Sequence, residues 1–434
     1  MQTSIEALGR LERRFNMAVP AEQIDREVEQ RLRKLSRTVR MDGFRPGKVP
    51  LKIVAQHYGP QVRSEVVGDA VQKAFSEVVQ EQKLKVAGYP RIERKEGGDG
   101  KQLTFSATFE IYPEVKLGDL AGATIQRPVH AVDDADVDRT LAILRKQRTS
   151  WEPVTRASQT GDRVTVDFIG RIDGNEFPGG KGAGVAVVLG EGRMLPEFES
   201  GLAGVTAAEH KSFPVGFPAD YPGKEVAGKT ANFEVIVQKV ETPRLPEIDA
   251  EFAKSLGVAD GDIAKMRAEI RENVQREVKK KVESEVKQKV MQALIDSTTL
   301  ELPKSLVEIE MQRMVQQTRA DLEARGIKLE RLPVKPEALE GQARRRVALG
   351  LILGELVKSH ELGAKPEQVR SLVTEQAQTY EQPFEVVRWV YSEPQRLSEF
   401  EGLAVESNVV SWVLGRAKVE DKAISFDELM GAAA

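Results

Sequence analysis

The sequence predicts a multidomain α+β protein: an α+β head, a small antiparallel β domain, and an all-helical C-terminal body with arms. Three observations carry that expectation. The chain has 434 residues, more than one ordinary domain of about 100–200 residues holds. Its texture changes twice, becoming crowded with Gly and Pro after Trp151 and almost wholly helical in pattern after Pro246. Its composition is 40% hydrophobic and 30% charged with only 6% aromatic residues, which gives aliphatic cores beneath a strongly hydrated surface.

The head starts with a strand over residues 2–19, where Leu11, Phe15, Met17 and Val19 fall on one side together with Arg13. Pro20 ends it. Ile24, Val28, Leu32, Leu35 and Val39 then recur at three- and four-residue steps, the spacing of an amphipathic helix. Helical patterning resumes over Pro50–Tyr58 and again from Pro60 to about Leu84, each start marked by a proline that needs no backbone donor there. Two strands follow, Lys85–Ile92 and Gln102–Ile111, joined by a turn at Glu96–Gly100.

Residues 113–150 read as a connector, with a strand at Thr124–Pro128 and a helix capped by Asp133 and Asp134. Short β-branched runs recur in the next segment at Arg163–Gly170, Val185–Leu189 and Ala231–Val240. The body opens with one long helix over 262–297. Its apolar residues, from Ile263 and Met266 to Val290 and Leu294, mostly step by four. Each such step overshoots a turn by about 40°, so the stripe winds and cannot face one flat partner. Further helices start at Pro303, Pro336 and Pro366, with stops at Gly326 and Gly363. The residues from about Val419 read as a loosely held tail.

Net charge is −3 and there is no cysteine. Disulfides, thiolate metal sites and a cysteine nucleophile are excluded, and a reducing cytoplasm is the expected location. The N-terminal residues carry no apolar signal core, and no apolar run approaches the ~18 residues of a membrane span. No cofactor and no metal are expected. His57, His130, His210 and His360 are scattered without ligand spacing.

One loop departs from the near-neutral average. Residues 31–52 hold eight cations (Arg31, Arg33, Lys34, Arg37, Arg40, Arg45, Lys48, Lys52) against one acid, Asp42. Within them, two glycines permit unusual backbone angles, two prolines stiffen the chain, and Phe44 sits at the tip. A stiff loop bearing an aromatic and cations loses little entropy on docking, and nucleic-acid phosphate is its natural counterpart. The eight residues Gly43, Phe44, Arg45, Pro46, Gly47, Lys48, Val49 and Pro50 resemble the ribosome-binding signature of trigger factors. The resemblance implies docking on the large subunit near the exit tunnel, against a ribosomal protein and rRNA, with Phe44, Arg45 and Lys48 as main contacts. Pro46 stands where some relatives carry another cation.

Residues 161–240 resemble the FKBP-type prolyl isomerase domain. Gly161–Gly170 is similar to that family's first core strand, Gly174–Phe177 to its next turn and aromatic, and Leu189–Leu202 to its pocket-floor helix. Pro218–Tyr221 and Ala231–Val235 complete the order. The resemblance implies a pocket of Phe168, Phe177, Met194, Leu195, Phe198, Tyr221 and Phe233, with Phe198 as floor and Tyr221 offering its hydroxyl to a substrate carbonyl. Pro178 stands in place of an acid and Val185 in place of an aromatic wall residue, which argues against tight macrolide binding. The run Gly179–Gly184 lacks the Ser or Thr and the helix of a phosphate loop, so a flexible flap is expected.

The expected division is therefore a ribosome-binding domain at 1–112, a connector at 113–150, a prolyl isomerase at 151–243 and a helical substrate-binding body at 244–434. The implied function is a ribosome-associated chaperone of nascent and unfolded chains with isomerase activity, able to pair as a weak homodimer off the ribosome. Two alternatives remain at this point: a free FKBP-type isomerase, and a non-enzymatic RNA-binding scaffold.

Overall fold

The computed structural model describes residues 5–42, 44, 47–95, 101–327 and 335–431. The chain forms two compact units, Met1–Arg127 with Ser284–Lys422, and Pro128–Glu283 with Ala423–Ala434.

In the first unit, β1 (Ile5–Ala7) and β2 (Glu12–Pro20) are followed by α1 (Ala21–Thr38), α2 (Leu51–Glu81), β3 (Val86–Arg94) and β4 (Gln102–Ile111). The sheet order is β1-β2-β4-β3. The single strand expected at 2–19 is in fact a hairpin. Its turn closes with Leu8 N–H donating to the Glu12 carbonyl at 3.1 Å. Arg13 bends back to donate to the carbonyls of Gly9 and Arg10, which is why a cation interrupts the apolar alternation. Phe15, Met17 and Val19 alternate inward and pair in register with Ala107, Phe105 and Leu103. Phe15, Phe75 and Phe109 meet with ring centroids 5.4–5.7 Å apart, joining α2 to the sheet.

The two helical segments expected around Pro60 are one helix, since Pro60 lies inside α2. Proline removes a donor and crowds the residue before it. Here that residue is Gly59, whose missing Cβ relieves the crowding, and Val54, Val62 and Val66 bury one continuous face. The turn expected at Glu96–Gly100 lies outside the described residues. A strand β5 (Thr124–Val129) follows.

The second unit begins with α3 (Asp134–Gln147), capped reciprocally by Asp133 and Asp136. A five-stranded sheet follows, made of β6 (Ser150–Pro153), β7 (Arg163–Ile172), β8 (Asn175–Val188), β9 (His210–Gly216) and β10 (Thr230–Arg244). Its order is β6-β10-β7-β8, with β9 also paired to β10. A short helix α4 (Pro196–Gly201) packs on β9; at Gly201 an added Cβ would stand 2.4 Å from the Phe213 ring. A register shift between Val237 and Lys239 rephases β10, so that Phe233, Val235 and Val237 point inward and so does Val240.

The run Gly179–Gly184 is no flap: it is the middle of β8, with Lys181 and Gly182 paired to Ile169 and Phe168. The unit continues with α5 (Ala250–Ser255) and enters α6 (Ile263–Ser297). The winding stripe of α6 meets successive partners. Met266 joins Val137, Leu141 and Phe252. Further along, Val274 and Val278 join Phe426 and Leu429.

The helical part of the first unit comprises α7 (Lys304–Ala324), a 3-10 turn at Pro336–Leu339, α8 (Glu340–His360), α9 (Pro366–Ala377), α10 (Pro383–Tyr391) and α11 (Pro394–Leu414). Pro303 gives α7 no side-chain cap. Glu110 of β4 supplies one instead, accepting from Lys304 N–H at 3.1 Å and Ser305 N–H at 2.8 Å. Gly326 takes the left-handed angle expected of a stop. At the end of α8 that role falls to Glu361, not Gly363.

Through Gly431 the tail is built into the fold. Strand β11 (Lys418–Ala423) pairs with β5, and Arg127 grips Asp421 through two nitrogens at 2.7 and 3.0 Å. Helix α12 (Phe426–Met430) then buries Phe426 and Leu429, with Ser425 capping its start. Two apolar residues three apart are enough to seat a single helical turn. No helix among the described residues is long and apolar enough to cross a membrane.

Candidate functional site

The inward faces of β7, β8, β9 and β10 close around α4 as a nest of rings. Phe198, on α4, is 3% exposed and lies at the bottom. Its centroid is 5.2 Å from Phe233, 5.5 Å from Phe168 and 5.6 Å from Phe213, all edge-on. Phe177 stands 6.2 Å from Phe233 and 5.8 Å from Phe217, and Tyr221 meets Phe217 edge-on at 4.9 Å. Met194 and Leu195, partly buried, pack on the same cluster. All seven residues anticipated from the sequence are thus brought together by one apolar cluster and its edge. Edge-to-face contacts suit the ring quadrupole, so the nest holds its shape.

Glycine makes the room. At Gly170 an added Cβ would lie 2.7 Å from the Phe233 ring, at Gly180 2.9 Å from Phe177, and at Gly182 2.7 Å from Phe168. The backbone of β7 and β8 therefore touches the rings directly. Phe213 and Phe217 are absent from the set that the sequence suggests, although Phe213, Val215 and Phe217 alternate along β9 and past its end, the signal of an inward face.

Tyr221 is 36% exposed, and its hydroxyl takes no hydrogen bond from the described residues. The buried acids of this unit are engaged elsewhere. Asp162 is held below the usual carboxylate range by the Arg156 guanidinium and by Gln159 N–H. Burial pushes Glu241 up, but Lys239 and Arg163 bring it below its ordinary value. The site offers rings and a phenol, not an acid–base pair. On the outer face, a groove of about 470 Å³ runs past Asp167, Ile169, Lys181, His210 and Ile236. Of the two acids that line it, Asp167 is tied to Gln238 and to Gly184 N–H, and Glu234 pairs with Arg171 at 2.9 Å.

In the basic loop, Gly43, Arg45 and Pro46 lie outside the described residues. Val49 is buried in the core with Val54 and Phe105, which pins the loop at its C-terminal side. Gly47 has φ +77, and a Cβ there would sit 3.1 Å from the Arg37 carbonyl, so Gly47 lies against the end of α1. Pro50 is the N-cap of α2. Phe44, Gly47, Lys48 and Pro50 face solvent, Phe44 being 37% exposed.

The local charge excess is smaller than the sequence count implies. Arg31 pairs with Glu27 at 3.2 Å and with Asp69 of α2 at 2.7 Å, and Arg33 pairs with Glu29 at 2.6 Å. Among the described residues no ion pair engages Lys34, Arg37, Arg40, Lys48 or Lys52.

On the helical part, Phe384 is 89% exposed and Trp389 56%, with Arg396 over the Trp389 ring at 3.9 Å. Met314 and Met311 instead pack in a core with Val307 and Ala343. No group of three His, Asp or Glu among the described residues is placed to hold a metal ion.

Residues 1–144 match the family model described as bacterial trigger factor protein, and residues 262–415 match that of the bacterial trigger factor C-terminus. Residues 154–238 match the FKBP-type peptidyl-prolyl cis-trans isomerase. The trigger factor of Nitrosospira multiformis is 55% identical over 433 residues, covering 99% of this chain and 100% of its own. That of Aromatoleum aromaticum is 52% identical over 434 residues, all of both chains. The chain belongs to the trigger factor family. A solved trigger factor chaperone structure covers 95% of this chain and 99% of its own at 17% identity, with a TM-score of 0.46.

Trigger factors are ribosome-associated chaperones of nascent chains that carry a prolyl isomerase domain. This chain accordingly has that function and that enzymatic activity, and nothing favours a free isomerase or an RNA scaffold. A nest of aromatic rings suits that chemistry. An X–Pro bond resists rotation by about 20 kcal/mol because of amide resonance. The twisted transition state is less dipolar than the planar amide, so a dry apolar pocket favours it without a nucleophile or metal.

Proposed function

We propose that this trigger factor docks through Gly43–Pro50, holds nascent chains on residues 244–434, and isomerises X–Pro bonds in the ring nest of residues 151–243. Residues 113–150 serve as the connector. In the docking loop, Phe44 contacts a ribosomal protein beside the exit tunnel, while Arg45 and Lys48 meet rRNA phosphate. Arg37, Arg40, Lys34 and Lys52 extend that phosphate surface along α1 and α2. In the pocket, Phe198 is the floor, Phe168, Phe177, Met194, Leu195 and Phe233 are walls, and the Tyr221 hydroxyl donates to a substrate carbonyl. The exposed Phe384 and Trp389 are apolar contacts for unfolded clients. The protein works in the cytoplasm and pairs weakly with itself off the ribosome.

The observation that carries the docking reading is the loop's construction: Val49 is buried while Phe44 and Lys48 face out. A loop held from behind keeps its contacts ready at small entropic cost. The salt dependence of ribosome binding tests it. Removing one cation that neutralises a phosphate should flatten the log–log salt slope by roughly 0.7–0.9. Arg37→Ala or Arg40→Ala should do so, while Arg33→Ala, already paired to Glu29, should not. Equal slopes for all three variants would sink the phosphate assignment.

A further inference from the structure

The loop that carries Met194 into the pocket has an unusual support. It leaves β8 at Leu189, whose N–H donates to the Asp162 carbonyl at 3.0 Å. Gly190 and Gly192 both take positive φ, +90 and +67, and a Cβ at Gly190 would strike the Thr160 methyl at 2.6 Å. The loop then reaches Met194, Leu195 and the start of α4. Its exposed side chains, Glu191 and Arg193, pair only with each other among the described residues. What ties its start to its end is Glu199. One carboxylate oxygen accepts from Gly190 N–H at 2.9 Å and the other from Met194 N–H at 3.3 Å.

Among the described residues Glu199 has no cationic partner, and its two anionic oxygens are each spent on a backbone amide. Charge-assisted bonds of this kind are the stronger ones. Glu199 is also the neighbour of Phe198 on the same helical turn. One residue of α4 therefore sets the floor, and the next sets the wall.

We propose that Glu199 is a positioning residue of the prolyl isomerase: it clamps the Gly190–Met194 loop so that Met194 and Leu195 stand against the substrate. The inference rests on the ring nest being the isomerase pocket. Without the clamp, two amides turn to water and a loop with two left-handed glycines gains freedom. The wall then arrives by chance, and the substrate must hold it in place. If the wall stands in place only about a tenth of the time, the apparent affinity for substrate falls about tenfold.

The test uses the full chain and a short X–Pro peptide, with Glu199→Ala, Glu199→Gln and the pocket variant Phe177→Ala measured side by side. Glu199→Ala should raise KM about tenfold, leave the unfolding transition of the isomerase unit in place, and shift the Gly190 and Met194 amide NMR signals. Glu199→Gln keeps one acceptor oxygen and should give an intermediate KM. A fall in kcat at unchanged KM would signal only a smaller folded fraction and would overturn the proposal. Unchanged kinetics in Glu199→Ala beside a slow Phe177→Ala would overturn it while leaving the pocket standing. Unchanged kinetics in both would remove the pocket reading itself.

Discussion

Replacing Gly170 by alanine perturbs the pocket in a way that geometry defines closely. The new methyl carbon would lie 2.7 and 2.8 Å from two carbons of the Phe233 ring and 3.1 Å from the Phe177 ring. Carbon–carbon contacts are optimal at about 3.5–4.0 Å, so a ring must retreat by roughly 1 Å. Phe233 has little freedom, because it is 6% exposed and wedged among Phe168, Phe177 and Phe198. It can retreat only by pushing its neighbour Phe177, at the partly open edge, outward. Overpacking of this kind costs about 1–3 kcal/mol of stability, and ~1 Å of displacement in a reacting site costs up to about a hundredfold.

A loss in kcat/KM of roughly 10- to 100-fold is expected in a prolyl isomerase assay, with the fold retained by circular dichroism. Gly216→Ala is the matched control. It lies in the same unit, its φ is not positive, and nothing stands within 4 Å of its added Cβ. It should keep full activity and gain about 0.4–1 kcal/mol from a less flexible unfolded chain. If Gly170→Ala turns over within twofold of the wild type, the rings do not shape the reacting site and the reasoning fails.

Two further predictions follow from buried polar groups. The Ser158 hydroxyl, 4% exposed as a residue, donates to the Leu202 carbonyl at 2.7 Å and accepts from Val205 N–H at 3.0 Å. Ser158→Ala leaves both unmade and should cost about 1–3 kcal/mol in denaturant unfolding of this unit; a change below ~0.5 kcal/mol would contradict the account. His130 holds the tail, with Nε2 2.7 Å from Asp136 and Nδ1 3.0 Å from the Ile424 carbonyl. Two acceptors call for a doubly protonated ring. Burial pulls its pKa down, but the bonds to Asp136 and to the Ile424 carbonyl, with the charges of Asp136 and Asp133, raise it overall. A raised folded pKa stabilises fully below the unfolded value of 6.5 and is lost as pH climbs through the folded one. Amides of residues 424–429 should thus exchange faster, after intrinsic correction, at pH 8.5 than at pH 6. His130→Gln should abolish that difference, and a tail equally protected at both pH values would refute the latch.

Much of this is legible in the sequence, for identifiable reasons. Strands with one wet face announce themselves by alternation, as Phe15–Val19 and Leu103–Ile111 do. The α6 stripe, stepping by four, foretells a helix that changes partners along its length. What stays hidden depends on contacts far along the chain or on missing atoms. Pro60 reads as a start unless Gly59 is weighed beside it. Gly179–Gly184 reads as a flap until Phe168 and Phe177 are seen pressed against it. The tail reads as loose because a single helical turn shows no period, though Phe426 and Leu429 are buried against α6. Charge counting overstates the basic loop because Asp69, distant in sequence, neutralises Arg31. Phe213 and Phe217 lie outside the motifs whose resemblance organises the pocket, so only their alternation marks them.

The central claim is that the loop at Gly43–Pro50 is the docking element of this trigger factor. Co-sedimentation with bacterial ribosomes tests it most directly, comparing the wild type with a Phe44→Ala, Arg45→Ala, Lys48→Ala variant at low and moderate salt. The account predicts that the wild type pellets with ribosomes, less so as salt rises, and that the variant stays in the supernatant with its isomerase activity intact. A variant that pellets as well as the wild type would contradict it.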